Sequence, residues 1–168
     1  MGGKDMMVLS KTFLRLMVNV RWYSRPKSDL PHDEGQWTLE GEAHNLVVTA
    51  GKVLTARMLM DDTGFDTGLT YCEVGTNTTA AALSDTTIGT VTKRNAITAK
   101  LRTSNRVQYR TFFASADIIA NLKASGLYGH STATATNQSG ELFNHVKISF
   151  DNTSNTKDLT IVHEITFG

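Results

Sequence analysis

The sequence predicts a mainly β protein: an antiparallel β-sandwich with one packed α-helix and an N-terminal extension. Three observations carry this. Threonine supplies 24 of 168 residues, and its stiff, branched Cβ favours the pleated surface of a strand. Several segments beyond residue 90 alternate apolar and polar side chains with period two, the pattern of antiparallel strands with one buried face. The connections at 129–140 and 151–156 are rich in Thr, Ser, Asn and Gly, the loop chemistry of a sandwich.

Residues 1–44 read as the extension, or arm, and residues 45–168 as the sandwich domain. Within 6–20, Leu9, Phe13, Leu16 and Val20 recur at helical spacing, while Phe13, Arg15, Met17 and Asn19 mark a strand phase, so both readings stand. Residues 21–35 are polar and hold both prolines, Pro26 and Pro31, with the acidic pair Asp33 and Glu34. They read as an irregular arm, followed by a short strand from Trp37. Two roles fit this leader: a loop covering the core edge, or an arm gripping a neighbouring subunit. Phe13, Trp22, Tyr23 and Trp37 are the candidate arm anchors.

The clearest helix spans 49–60, with Thr49 as its N-cap. Leu54 and Met58 share one face, and Gly64 supplies a left-handed closing residue. A short apolar strand begins at Leu69 and breaks at Gly75. The chain then runs through small and hydroxyl residues with no ionised group until Asp85. This tract reads as an ordered surface loop made for contact, with Gly75, Thr76, Asn77, Thr78 and Thr79 as its candidate contact residues.

Further on, residues 95–101 place Ile97, Ala99 and Leu101 on one strand face. Residues 106–113 place Val107, Tyr109, Thr111 and Phe113 on one face and Gln108, Arg110 and Phe112 on the other. Residues 116–123 read as a short helix with Ile119 and Leu122 inward or, over 118–122, as a strand. Residues 145–150 turn Val146, Ile148 and Phe150 inward, and 159–167 alternate Leu159, Ile161, His163, Ile165 and Phe167.

Composition bounds the function. A formal net charge of +1 gives no general electrostatic case for nucleic acid or an anionic membrane. Cys72 is the only cysteine, which excludes an intramolecular disulfide and a cysteine zinc cluster. It fits assembly in a reducing compartment. No apolar run approaches a membrane span. The stretch 13–20 contains Arg15 and lacks a small-residue cleavage site, so no signal peptide is expected.

Tests for chemistry find little. Asp62-Thr63-Gly64 and Asp66-Thr67-Gly68 spell the aspartic-protease triplet twice. Two triplets four residues apart cannot oppose their carboxylates within one chain, as that dyad requires. Asp61, Asp62 and Asp66 could supply oxygens to Ca²⁺, but without EF-hand spacing. His32, His44, His130, His145 and His163 show no metal-ligand spacing. Cys72 has no adjacent base to activate it. No catalytic residue, cofactor or metal site is expected. Lys93, Arg94, Lys100, Arg102, Arg106 and Arg110 form one basic cluster over two candidate strands, with Tyr109 and Phe112 interleaved. It reads as a solvated or partner-facing patch ahead of a nucleic-acid platform. Asn77, Asn137 and Asn152 match the glycosylation pattern and read as turn residues.

The ordered words of the chain carry a resemblance. Asn45-Leu-Val-Val-Thr-Ala-Gly-Lys precedes the helix, followed by Tyr71-Cys-Glu-Val-Gly-Thr-Asn-Thr-Thr-Ala-Ala-Ala and Asp85-Thr-Thr-Ile-Gly. Then come Ala124-Ser-Gly-Leu-Tyr, Gly140-Glu-Leu-Phe-Asn-His-Val-Lys-Ile-Ser-Phe and Asp158-Leu-Thr-Ile-Val-His-Glu-Ile-Thr-Phe. In this order they resemble a family of tailed-bacteriophage virion proteins, over residues 45–168. That family shows a glutamate where this chain has Lys123 and an arginine where it has His145.

The resemblance implies a small β-sandwich virion component that is not an enzyme. The expected role is a capsid decoration (cement) protein, assembled into the virion in the host cytoplasm. Its partners would be the major capsid protein or another virion protein and, as a homo-oligomer, further copies of itself. A tail, neck or fibre-adaptor role is the alternative, and a carbohydrate-binding host-attachment module the next. Trp22 and Trp37 lie outside the expected sandwich, which counts against a sugar platform there.

Overall fold

The computed structural model describes residues 16–32 and 34–168. They form two five-stranded antiparallel sheets facing each other across one core, as the alternating segments predicted. In chain order the elements are β1 (Leu16–Pro26), β2 (Thr38–His44), β3 (Leu46–Val47), α1 (Thr49–Leu59), β4 (Leu69–Gly75), β5 (Val91–Ala96), β6 (Ala99–Thr103) and β7 (Arg106–Phe113). A 3-10 turn at Ser115–Asp117 leads into β8 (Asn121–Gly129), β9 (Glu141–Asp151) and β10 (Lys157–Phe167). Sheet A runs β2-β1-β10-β7-β6 and sheet B runs β3-β9-β8-β4-β5.

The largest departure from the sequence reading is the arm. Residues 16–44 are not an extension but two strands of sheet A. β1 pairs along its whole length with β10, from Leu16 opposite Phe167 to Pro26 opposite Lys157, and β2 pairs on its other side. The physical reason is a phase that the sequence hides. Val18, Val20 and Trp22 point inward and are buried, with Ser24 continuing the same face. Upstream apolar residues blur this alternation, and Arg25 is buried against type. Trp22 is therefore a core residue, whereas Tyr23 and Trp37 lie on the opposite face of the sheet. Phe13 lies outside the described residues.

Other boundaries shift for local reasons. Val48, not Thr49, is the N-cap of α1, without a side-chain hydrogen bond. The Thr49 N–H donates instead to the Leu83 carbonyl at 2.8 Å. The helix closes at Asp61, whose φ is +55°, with Asp61 N–H donating to Met58 and Asp62 N–H to Arg57. That is a Schellman closure with Asp in the left-handed position; Gly64, also at positive φ, belongs to the connector beyond it. The helix lies so close to β9 that a Cβ on Gly51 would collide with the Phe143 backbone. Leu54 and Met58 then reach the core together.

The expected continuous strand over 95–101 is two strands in different sheets. β5 belongs to sheet B and β6 to sheet A, and the chain crosses at 97–98, where Thr98 N–H donates to Arg110. Leu101 consequently stands exposed on an edge strand. Over 116–123 neither expectation fits throughout. The helix reduces to the 3-10 turn, Ile119 points outward, and β8 starts only at Asn121.

Candidate functional site

At the centre of the core sits an arrangement whose composition suggests nucleophilic catalysis. His163 of β10 faces Cys72 of β4 at 3.7 Å and Ser125 of β8 at 3.4 Å, with Asn144 of β9 3.0 Å away on its other ring nitrogen. The hydrogen-bond polarity is wrong for that chemistry. Leu127 N–H donates to Asn144 Oδ1 at 2.7 Å, which fixes the amide so that Nδ2 donates to His163 Nδ1. The proton of the neutral ring then sits on Nε2, the nitrogen that faces the thiol, where a base would need a lone pair. Burial pushes the Cys72 thiol up to about 12 and the His163 imidazole down to about 3, so both are neutral at physiological pH. Neither has any solvent exposure. These are neutral core groups hydrogen-bonded to one another.

Their neutrality has a consequence for acid stability. The unfolded chain protonates His163 at about 6.5, whereas the native state resists until about 3. Stability conferred by the neutral ring is therefore complete above pH 6.5 and is lost as the pH falls below it. The loss between pH 6 and pH 4 is about 2.5 kcal/mol. Urea unfolding at a series of pH values checks this. His163→Gln is expected to flatten the acid limb by that amount, and an unchanged slope would assign the limb to carboxylates.

The loop after Gly75 is ordered by three side chains from two other segments. Lys147 donates to the Thr78 carbonyl, and His145 Nδ1 lies 2.7 Å from Asp85 Oδ2. Gln138 Nε2 donates to the Gly89 carbonyl at 2.7 Å. Inside the loop, Asn77 donates to Ile88 O and accepts from Thr79 N–H. Burial raises the Asp85 pKa, but the Ala82 N–H and His145 outweigh it and hold the carboxyl below its ordinary value. Gly75, Thr76, Asn77, Thr78 and Thr79 thus lie at the start of a fixed surface, with Thr78 and Thr79 exposed. Through Thr49 and Leu83 the loop abuts α1, which presents Val53, Leu59 and Met60 to solvent beside the exposed Leu83. Leu59 and Met60 are 74% and 76% exposed, too much for residues serving only the core.

Two buried ion pairs hold the loops. Arg94 Nη1 meets Glu73 Oε1 at 2.7 Å with neither side chain exposed. Arg94 also donates to the Thr134 and Ser139 carbonyls and lies 4.6 Å from the ring centres of both Tyr71 and Tyr128. Arg25 Nε meets Asp158 Oδ2 at 3.3 Å, again buried, and its remaining donors take the carbonyls of Leu30, Pro31 and Glu34. The β1–β2 loop is thereby folded back over the outer face of sheet A.

That face carries a groove of about 330 Å³. Cross-strand register builds it from side chains in rows. Arg21, Val162, Arg110 and Ala99 form one row, and Tyr23, Thr160 and Phe112 the next. His32 and Trp37, delivered by the folded-back loop, form a wall against Phe112, with ring centres 5.8 and 6.4 Å apart. Tyr23 and Trp37 were singled out in the sequence for a different role. Arg110 and Phe112 share one face of β7, but nothing local in the sequence joins them to His32.

The six basic residues do not form one patch. Arg94 is buried, Lys93 pairs with Asp117 at 2.9 Å, and Arg106 lies 3.8 Å from Glu164. Lys100 and Arg102 face one side of sheet A and Arg106 and Arg110 the other. The aspartate-rich connector is likewise dispersed. Asp62 is taken by Arg57 at 2.8 Å, and among the described residues no group of three or more His, Cys, Asp or Glu side chains could hold a metal. Asn152 is wholly buried and serves a turn, donating to Ser115 O and accepting from Thr156 and Lys157 N–H. No described helix is long and apolar enough to cross a membrane.

Comparison with protein-family models, curated proteins and solved structures finds no match to this chain.

Proposed function

We propose that this chain is a non-enzymatic structural protein of a tailed-phage virion: a capsid decoration (cement) protein that binds the major capsid protein and further copies of itself. The observation that carries the reading is the surface made by residues 76–90 and α1. It is a tract of small and hydroxyl residues fixed by Lys147, His145 and Gln138, adjoining exposed Val53, Leu59, Met60 and Leu83. Side chains fixed before contact lose little freedom on binding, and exposed apolar groups supply the burial that association needs. The order of the resembling sequence words across residues 45–168 supports the virion as the setting. The core polar cluster, whose protons point the wrong way for a nucleophile, supports a role in contact rather than catalysis.

Quantitative mass spectrometry of purified particles tests the reading. Hundreds of copies per virion are expected. A few to tens would move the chain to the tail, neck or fibre adaptor, and absence from the particle would overturn the proposal. The surface itself is tested by Leu59→Asp with Met60→Asp. Both side chains are already exposed, so the melting midpoint is expected to stay within about 2 °C while particle attachment falls at least about tenfold. Attachment unchanged in this variant would remove α1 from the interface.

A further inference from the structure

We propose that the groove on the outer face of sheet A binds an acidic saccharide, a sugar ring carrying a carboxylate. Its volume of about 330 Å³ is at the small end of ligand pockets, roughly 300–1,000 Å³, and suits one or two rings. Tyr23, Trp37 and Phe112 offer aromatic surface against which the apolar face of a pyranose can lie. Two guanidinium groups line the same space. Arg21 is engaged by Glu42 at 3.3 Å. Arg110 is exposed and has no ion-pair partner among the described residues. Its planar fork is the donor geometry that a carboxylate accepts two bonds from. Gln108, also lining the groove, donates to Glu164 at 2.7 Å, and its amide oxygen is the acceptor that a sugar hydroxyl would use.

Two features separate this occupant from others. The floor is the face of a sheet whose backbone groups are spent in the β1–β10–β7 ladders. An extended peptide would find no main-chain partners there, as it would at an edge. A nucleic-acid strand needs a track of cations, and here one paired and one unpaired arginine stand together. The wall is also built in advance. Arg25, buried with Asp158, lies 4.9 Å from the Trp37 ring centre and holds the carbonyls on either side of His32. Ordering of the loop is thus completed by folding rather than by the ligand.

The test uses the full chain on an array of neutral, uronate-bearing and sialate-bearing oligosaccharides, followed by titration of the retained glycan. Retention of carboxylate-bearing glycans is expected, with neutral counterparts at least about tenfold weaker. Arg110→Ala is expected to weaken binding by at least about tenfold at an unchanged melting midpoint, since Arg110 is exposed and its side chain has no ion-pair partner among the described residues. Tyr23→Ala, also lining the groove, gives a second loss through the lost ring contact. Retention of no glycan, equal retention of neutral glycans, binding indifferent to Arg110→Ala, or capture of acidic peptides in place of sugars would each overturn the assignment. None of these outcomes bears on virion copy number, so the contact role stands or falls separately.

Discussion

Arg94→Met is expected to destabilise the fold by about 3–5 kcal/mol, the usual result of leaving one charge of a buried pair alone. Glu73 would keep its carboxylate in a site without solvent exposure, with the Gln138 N–H still donating to it but no cation beside it. The loss is not confined to the pair. Arg94 supplies the donors for Thr134 O and Ser139 O and fills the space between Tyr71 and Tyr128. Burial, and then the Glu73 charge beside it, push the Tyr128 hydroxyl pKa up, so that residue stays neutral and supplies no charge to replace the guanidinium. Urea unfolding gives the stability change, and hydrogen exchange over 131–140 reports the loop. Adding Glu73→Gln should recover a large part of the loss, because a neutral pair of similar volume no longer buries an uncompensated charge. If the single variant unfolds at the wild-type midpoint, the pair is not what holds this region.

Arg25→Met is expected to have a similar cost, about 3–5 kcal/mol, with a different local outcome. Asp158 would retain the Ser115 N–H as its remaining donor. The carbonyls of Leu30, Pro31 and Glu34 lose their common partner and can turn to water, so the β1–β2 loop should detach from sheet A. Trp37 would then leave its place against Phe112. The checks are a lowered unfolding midpoint and a red shift of tryptophan emission. Trp22 reports separately, because it stays buried with its indole N–H donating to Ser149 O at 3.2 Å. A destabilised variant with unshifted emission would mean that aromatic packing alone holds the loop.

Legibility in the sequence followed the wetness of each strand. β7 and β10 could be read because residues such as Gln108 and Thr160 stand opposite the apolar set and keep the period visible. β1 could not. Its inward face includes Ser24, and Arg25 is buried by contacts to loop carbonyls and to a carboxylate 133 residues away. The same holds for Arg94, which reads as one of six surface cations until the register of β4 and β5 sets it beside Glu73. Period two also says nothing about which sheet a strand joins, so the crossing at 97–98 was invisible. Within the surface proposed for contact, the loop was legible from its hydroxyl-rich run, but its clamps were not, because Lys147, His145 and Gln138 are distant in sequence. The groove was the least legible feature, since it exists only where three separate segments share one sheet face.

The pairing of β1 with β10 also bears on how the chain is made. β1 is the earliest described strand to leave the ribosome, yet one of its two edges meets a partner that follows every other described strand. Until β10 emerges, Val18, Val20 and Trp22 have only β2 alongside, and a lone hairpin is marginal in water. Sheet A therefore closes late, through contacts of high sequence separation, and such topologies fold slowly and expose strand edges while they wait. For a protein proposed to act in many copies, that interval is when copies can pair with one another by mistake. Synthesis rate and temperature should consequently govern its soluble yield more strongly than its final stability does.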